Sequence, residues 1–452
     1  MTESAGPTGP AGGHVIVVDL GYGDAGKGTV VDWLCRGGGF GAVVRFNGGA
    51  QAAHNVVTPD GRHHTFAQFG SGSFTPGVRT HLSRFMLVDP LALIAEADHL
   101  ASVSVPDALD RLSVDADALL TTPYHRAANR ARELARPPGQ RHGSCGIGIG
   151  ETARYALAHP ADAPRAGDCA DPRALAGKLT LLRDRLAAEA GRRSGAQGGE
   201  FLDVPPVRDV VTAFAAFAER VALVGAGFLP GLLRAGRVVF EGAQGVLLDE
   251  WRGFHPFTTW STTTFANAET LLAEAGAAAT RLGVVRCYAT RHGPGPLVTE
   301  DPTLELPDPH NRANPWQGPF RVGHFDAVAL RYALDVAGGV DGIALTNLDV
   351  AERHRLSICD RYLHDGRPVR RLRHDAGRDL ARQERLTGML LRCVPVLGDP
   401  DGGWPSAVAR AAAAPVLLVS RGPTALDKTP VGAGLRAGRP LVAVRAAAPG
   451  PR

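Results

Sequence analysis

Short apolar runs alternate along the chain with glycine- or hydroxyl-rich breaks. His14–Leu20 (HVIVVDL) is a near-continuous apolar run of strand length, the pattern of a strand covered on both faces. Glycines follow it, and Gly28–Arg36 carries helical spacing. Ala42–Phe46 predicts a second strand, and FMLVDPLALIAEADHL, within residues 80–135, predicts a strand and then a helix. Residues 160–235 are alanine-rich and mostly helical in pattern, broken by GRRSGAQGGE. Strand runs recur at Arg237–Phe240, Arg281–Tyr288, Gly342–Leu345 and Pro415–Val419, each running into a polar loop. Residues 303–322, rich in Pro and Asn, predict a long functional loop. Strands alternating with helices imply an α/β fold with a largely parallel central sheet flanked by helices. Ligands in such sheets meet the carboxyl ends of the strands. The expected organisation is a disordered tail over 1–13, one large α/β catalytic domain over 14–445 with a helical insertion at about 100–235, and a tail over 446–452.

Composition narrows the chemistry. The 452 residues are 44% hydrophobic and 21% charged, ordinary for a globular protein. A net charge of +4 and a pI near 8.8 suit small anionic ligands, and no basic block points to nucleic acid. No apolar run reaches the length of a membrane span, and the polar N-terminal stretch does not read as a signal peptide. The six cysteines show neither C-x-x-C pairing nor zinc spacing, so a reduced, cytoplasmic location is expected. Lys27, Lys178 and Lys428 are the only lysines; every other cationic side chain of this length is Arg. A lysine retained in a glycine loop therefore calls for a reason.

That loop, Gly21–Lys27, matches G-x-x-x-x-G-K between a predicted strand and a predicted helix. Backbone N–H groups and a helix N-terminus can meet a phosphate there, with Lys27 adding a point charge. Gly28 stands where an ordinary phosphate loop has a Ser or Thr ligand for Mg²⁺, and the loop holds a carboxylate, Asp24. Asp24 could supply a metal oxygen, act as a base, or be a solvated residue of a structural turn. In RFNGGAQAAHNVV a strand again runs into glycines, then Gln51 and His54, the latter equally readable as a buried core histidine. VVFEGAQGVLLDEW ends a strand at Glu241 and brings Gln244, with hydroxyls from Thr258 to Thr264. These suit phosphate or ribose contacts, or simply a polar loop. In TNLDV, Asp349 offers two acceptors of the kind that read the N1–H and N2–H₂ edge of guanine.

Together these pieces resemble the adenylosuccinate synthetase family, which joins inosine monophosphate (IMP) to aspartate using GTP. GYGDAGKG resembles the family's W-G-D-E-G-K-G-K, and FEGAQGVLLD nearly repeats its pattern. YATRHGPGPLVTE is similar to S-T-R-V-G-x-G-P-F-P-T-E, TNLDV to T-K-L-D-V, and VSRGP to V-S-T-G-P. The resemblance runs from about His14 to Pro423 and is weakest over 100–235. It implies a phosphate-loop-like, GTPase-related fold, Mg²⁺ as cofactor, GTP as co-substrate and a homodimer. It also implies that Asp24 ligates Mg²⁺ and removes a proton from the acceptor's ring nitrogen, so that the neighbouring carbonyl oxygen attacks the γ-phosphate of GTP. His54 would stabilise the transferring group, and an amine would then displace the phosphate. Lys27 with Gly23, Gly26 and Gly28 would contact the GTP phosphates, and the backbone at Ala53 would help hold the metal. Asn347, Asp349, Ser420, Gly422 and Pro423 would form the guanine end. Gln51, Gly143, Ser144, Gln244, Thr259, Arg291, Trp316 and Arg321 would face the other substrates.

The chain departs from that pattern at the acceptor end. The family's G-G-H-N-A-G-H-T is GGAQAAHN, and its T-T-G-R-G-I-G-P is HGSCGIGI, with Gly143 for a threonine and Cys145 for an arginine. The arginine that the family sends across the dimer interface has no match; Arg154 lies out of register. The aspartate loop T-T-G-R-x-R-R-x-G-W-L-D is NPWQGPFRVGHFD, where only Arg321 aligns with an arginine. A dicarboxylate is ordinarily met by more than one guanidinium fork, so the loss points to a bulkier or less anionic amine, unless Arg291 and Arg312 compensate. Asn347 replaces the lysine of T-K-L-D-V. A diverged branch that makes diaminopurine precursors has a small residue at the loop aspartate; Asp24 sets this chain apart from it. Three readings follow: an adenylosuccinate-forming enzyme, a specialised-metabolism relative with another amine or acceptor, and a GTP-binding protein without catalysis.

Overall fold

The run His14–Asp19 lies in the middle of a ten-stranded sheet. The computed structural model describes residues 13–432 apart from 38, 138–140, 195–202, 309–310, 312–315 and 375–376. The expected tails, apart from Gly13, lie outside the described residues, as does Arg312. Across the sheet the strands are Lys428–Pro430, Val416–Ser420, Gly342–Thr346, Ala279–Arg286, His14–Asp19, Arg237–Glu241, Phe40–Arg45, Arg79–Leu82, Leu112–Asp115 and Ala222–Val224. All neighbours are parallel except the first pair, which is antiparallel.

Covering on both faces explains the unbroken apolar run. Val15 and Val17 join one layer with Val30, Val31 and Leu34 of the helix Lys27–Arg36. Ile16 and Val18 join the opposite layer with Leu271, Val328 and Leu330. Successive strand residues point to opposite faces, so each face needs an apolar residue. Each fully buried Val or Leu of this kind contributes about 1.5–3 kcal/mol.

Residues 90–235 are mainly helical, packing Leu93, Leu175, Leu179, Leu182, Phe214 and Phe217 into a separate cluster. They also contribute Leu112–Asp115 and Ala222–Val224 to the sheet edge. The strand expected to reach Tyr288 ends at Arg286, and the chain turns into a second strand, Ala289–His292. That strand pairs antiparallel with Phe320–Gly323, at the end of the predicted long loop. Asp19, Arg45, Glu241, Arg286, Thr346 and Ser420 are the last residues of six adjacent strands. Every motif loop thus leaves the same edge of the sheet.

Candidate active site

The glycine loop is wound around a carboxylate that sequence reasoning did not single out. Asp19 accepts hydrogen bonds from the N–H groups of Gly21 (2.7 Å), Gly23 (3.3 Å) and Ala25 (2.7 Å), and from Lys27 Nζ at 3.2 Å. Lys27, almost wholly buried, also donates to the carbonyls of Gly23 (2.7 Å) and Gln244 (2.8 Å). These bonds set the loop's curvature. Gly23 (φ 116°) and Gly26 (φ 90°) hold backbone conformations that side chains rarely adopt. A Cβ at Gly28 would lie 2.8 Å from the His54 Cβ and 3.1 Å from Ser71 Oγ. The missing Ser or Thr therefore has a steric cause: the strand carrying His54 packs into that space.

His54 is buried and its Nδ1 lies 2.7 Å from Glu241 Oε1. Glu241, fully buried, also accepts the Ser71 N–H at 2.9 Å and Ser71 Oγ at 2.5 Å. Burial alone would raise the Glu241 carboxyl; the hydrogen bond and charge of His54, with Arg45 and Ser71, pull it to about 2. Burial pushes His54 down to about 4 despite Glu241. The pair is therefore a carboxylate and a neutral imidazole. Nδ1–H donates to Glu241, which fixes the tautomer and leaves the lone pair on Nε2.

Asp24 is partly buried, and its carboxylate accepts no hydrogen bond from a described residue. Loss of water raises its carboxyl, with His292 and Arg286 opposing. Its surroundings form a circuit: Arg286 donates to the Asp24 carbonyl (3.2 Å) and to Asp308 (2.8 Å), Asp308 accepts from Asn311 (3.0 Å), and Asn311 Oδ1 lies 3.3 Å from His292 Nε2. His292 Nε2 closes it, 3.7 Å from Asp24 Oδ2. Among the described residues no cluster of three His, Cys, Asp or Glu could hold a metal by itself. One open carboxylate beside a phosphate loop nevertheless suits Mg²⁺, which takes one or two protein carboxylates plus phosphates and water. Ala53 is exposed just before His54, where its backbone could contribute.

A small cavity beside Asp24 is lined by Asp19, Tyr22, Arg286, Tyr288, Phe325 and Asp326, among others. A larger cavity, about 1140 Å³, lies between the helix Ala327–Ala337 and the strand Val394–Gly398. None of the motif residues lines it, so volume is a poor guide here. The motif contacts are better. Gln244 (φ 62°) donates from Nε2 to Thr259 Oγ1 at 2.5 Å, and its backbone packs on Gly23. Gln244 Oε1 and both amide atoms of Gln51 are buried without partners among the described residues. Gly48 lies against both Gln51 and Gln244. Buried amides left unpaired cost free energy unless a ligand meets them.

At the expected amine side, Gly143 approaches Pro294 and the Gln317 carbonyl, Ser144 Oγ donates to Asn129 (2.8 Å), and the Trp316 ring packs on Gly146 under Arg130. Arg321 is consumed internally. It forms a two-pronged pair with Glu300 and donates to the carbonyls of Gly293 (3.0 Å) and Gly295 (2.9 Å). Arg291, fully buried, donates to the carbonyls of Pro294, Pro296 and Phe257, each at 3.0 Å, and stacks on Tyr22. Neither stands as an open fork for a substrate carboxylate.

At the other end, Thr346 Oγ1 donates to the Ala25 carbonyl (2.7 Å) and Asn347 follows in a left-handed conformation (φ 56°). Asp349 is paired with the exposed Arg353. Ser420 Oγ donates to the Gly422 carbonyl (3.0 Å), and Thr29 Oγ1 ties the Pro423 carbonyl (2.7 Å) to the loop helix. Gly23, Asp24, Gly26, Lys27, Gly28, His54, Gln51, Gln244 and Thr259 thus converge, with the 347–349 and 420–423 loops on one flank and Gly143, Ser144 and Trp316 on the other. Asp19, Glu241, Arg286 and His292 are additions. Glu241 and His292 were readable as a charge ending a buried strand and a departure from the pattern's valine.

A sequence profile of the adenylosuccinate synthetase family matches residues 16–386. The adenylosuccinate synthetase of Marinomonas sp. is 34% identical over 382 residues, covering 79% of this chain and 82% of its own; that of Magnetococcus marinus is 32% identical over 375 residues, covering 78% and 82%. Among solved structures, the fully ligated adenylosuccinate synthetase of Plasmodium falciparum superposes with a TM-score of 0.74 at 20% identity, covering 93% of this chain and 100% of that one. The cyanophage S-2L succinoaminodeoxyadenylate synthetase PurZ, bound to dGMP and dATP, gives 0.55 at 19% identity, covering 93% and 95%. The chain belongs to the adenylosuccinate synthetase family of GTP-dependent carbon–nitrogen ligases.

Proposed function

We propose that this protein phosphorylates the carbonyl oxygen of a purine-type, IMP-like acceptor with GTP and then couples the activated carbon to an amine other than aspartate. The observation that carries the first half is Asp24: a carboxylate that accepts no hydrogen bond from a described residue, raised by burial, set in the glycine loop. An amide-type N–H is a weak acid and its carbonyl a weak nucleophile. A carboxylate accepting the ring proton moves charge onto the oxygen, which then attacks the γ-phosphorus in line while GDP departs. Lys27 and the loop amides hold the phosphates, and His54, oriented by Glu241, meets the transferring group from the far side. Mg²⁺, held by Asp24 and the backbone at Ala53, would neutralise phosphate charge when bound. Gln51, Gln244 and Thr259 supply amide and hydroxyl contacts to the acceptor.

The second half rests on Arg321 and Arg291. Both guanidinium groups are saturated by Glu300 and backbone carbonyls. Freeing one for a dicarboxylate would leave buried acceptors unpaired. Trp316 and Phe320 favour an amine with less charge. The protein is expected to work in the cytoplasm as a homodimer, and among the described residues no helix is long and apolar enough to cross a membrane. The test is GTP-dependent phosphate release with Mg²⁺ and IMP, first alone, then with aspartate and a panel of neutral and aromatic amines. Faster release with a non-aspartate amine supports the proposal. Preference for aspartate returns the chain to adenylosuccinate formation, and tight GTP binding with no chemistry in any combination favours a binding protein.

A further inference from the structure

Only three of the 49 lysine and arginine residues are lysine. Lys27 holds the phosphate loop and Lys178 pairs with Asp168 on the insertion. Lys428 remains, and it is 6% exposed at the guanine end of the site. Its strand, Lys428–Pro430, places it opposite Ser420. Its ammonium donates to the carbonyls of Gly422 (3.0 Å) and Thr424 (2.8 Å), on either side of the Pro423 carbonyl held by Thr29. Asp427 binds the other face of the turn, accepting the Thr424 N–H (2.8 Å) and hydroxyl (2.7 Å). Three consecutive carbonyls are thus drawn onto protein donors, while the Gly422 N–H has no partner among the described residues. A compact ammonium with three rotatable donors converges on these two carbonyls; a guanidinium is larger, holds its donors in one plane and would meet them in a different geometry.

The charge is also placed. Burial pulls Lys428 down to about 8, while Asp427, Asp32 and Asp349 act to keep it charged. Asp349 is the acid that would read the guanine N1–H and N2–H₂ edge, and the family's neighbouring lysine is absent, replaced by Asn347. A guanine 6-oxygen is an acceptor and suits the open Gly422 N–H. Adenine presents a donor there, which would leave that N–H unpaired.

We propose that Lys428 is a specificity-determining residue for the guanine nucleotide: it shapes the 420–424 turn so that the Gly422 N–H meets the 6-oxo group, and it supplies beside Asp349 the cation that position 347 lacks. The inference rests on the reading of this flank as the GTP site, and the experiment separates the two. Dissociation constants of GDP and ADP are measured by fluorescent-nucleotide displacement on full-length wild type, Lys428→Met, Lys428→Arg and Asn347→Lys/Lys428→Met, with thermal melting to verify folding. Loss of one charged hydrogen-bonding group predicts roughly 10- to 100-fold weaker GDP binding in Lys428→Met, with ADP binding unchanged. The second-site lysine restores GDP binding at least in part. Lys428→Arg, which keeps the charge and the fold, also loses selectivity. Unchanged GDP-to-ADP selectivity in both single variants overturns the proposal, as does equal weakening of both nucleotides that Asn347→Lys fails to repair. Wild type that binds ADP as tightly as GDP, or binds neither, overturns it together with the GTP-site reading.

Discussion

Glu241→Gln removes one charge and keeps the shape, so its consequences can be worked through. Glu241 is fully buried and accepts three donors: His54 Nδ1, the Ser71 N–H and Ser71 Oγ. A glutamine has one acceptor oxygen, which Ser71 can still use, but it turns an NH₂ toward His54. To donate from Nε2 to an anionic phosphoryl group while Nδ1–H stays on position 241, His54 must be protonated, and a neutral amide does not support that charge. Loss of one such donor to charge in the transition state costs about 10²- to 10³-fold in turnover, or about 2.7–4 kcal/mol of barrier. The lost charge-assisted bond lowers stability by about 1.5–3 kcal/mol. GDP binding should change little, because Glu241 acts through His54, which would meet the γ-phosphoryl group that GDP lacks. The pH dependence has a definite sign. Glu241 is held at about 2, below its ordinary value of 4.5, so its stabilisation is complete above 4.5 and is lost as pH falls through about 2. The stability gap between wild type and Glu241→Gln should therefore be full at pH 7 and shrink below pH 4. Phosphate-release kinetics and urea unfolding at both pH values measure these quantities. Turnover within threefold of wild type would refute the orienting role of Glu241.

Gly28→Ser restores the residue of an ordinary phosphate loop, but its Cβ would stand 2.8 Å from that of His54; it should lower stability by about 1–3 kcal/mol and depress turnover, seen by thermal melting and phosphate release. Arg321→Met removes an internal pair that is partly exposed, so unfolding should become easier by about 1–2 kcal/mol while KM for the preferred amine stays within a few-fold. KM for GTP should rise above about pH 8, as Lys428, surrounded by Asp427, Asp32 and Asp349, loses its proton. That rise should be absent in Lys428→Met.

Much of this architecture is legible along the chain because of burial. A strand covered on both faces needs apolar residues at every position, so His14–Asp19 and Arg237–Glu241 stand out, and a polar residue at the end of each marks where a motif loop begins. The last two strands on one side of the sheet, Leu112–Asp115 and Ala222–Val224, do not stand out: at three or four residues, their assignment comes from neighbours distant in sequence. Asp19 was hidden for a related reason, since its ligands are backbone N–H groups whose direction depends on the folded loop. The phosphate-loop residues were visible through spacing, a local property. The state of Arg291 and Arg321 was not. Their partners are carbonyls and Glu300, brought close by the hairpin Ala289–His292 with Phe320–Gly323, and no local pattern says whether a guanidinium is already occupied.

The account turns on Asp24 as the group that activates the acceptor oxygen. The most direct measurement is positional isotope exchange in GTP labelled at the β,γ-bridging oxygen, with Mg²⁺ and IMP and no amine, comparing wild type with Asp24→Asn. Scrambling reports reversible transfer of the γ-phosphoryl group before any C–N bond forms. The account predicts scrambling by wild type and at least a hundredfold loss in Asp24→Asn, with GDP still bound. Scrambling at the wild-type rate in Asp24→Asn would contradict it.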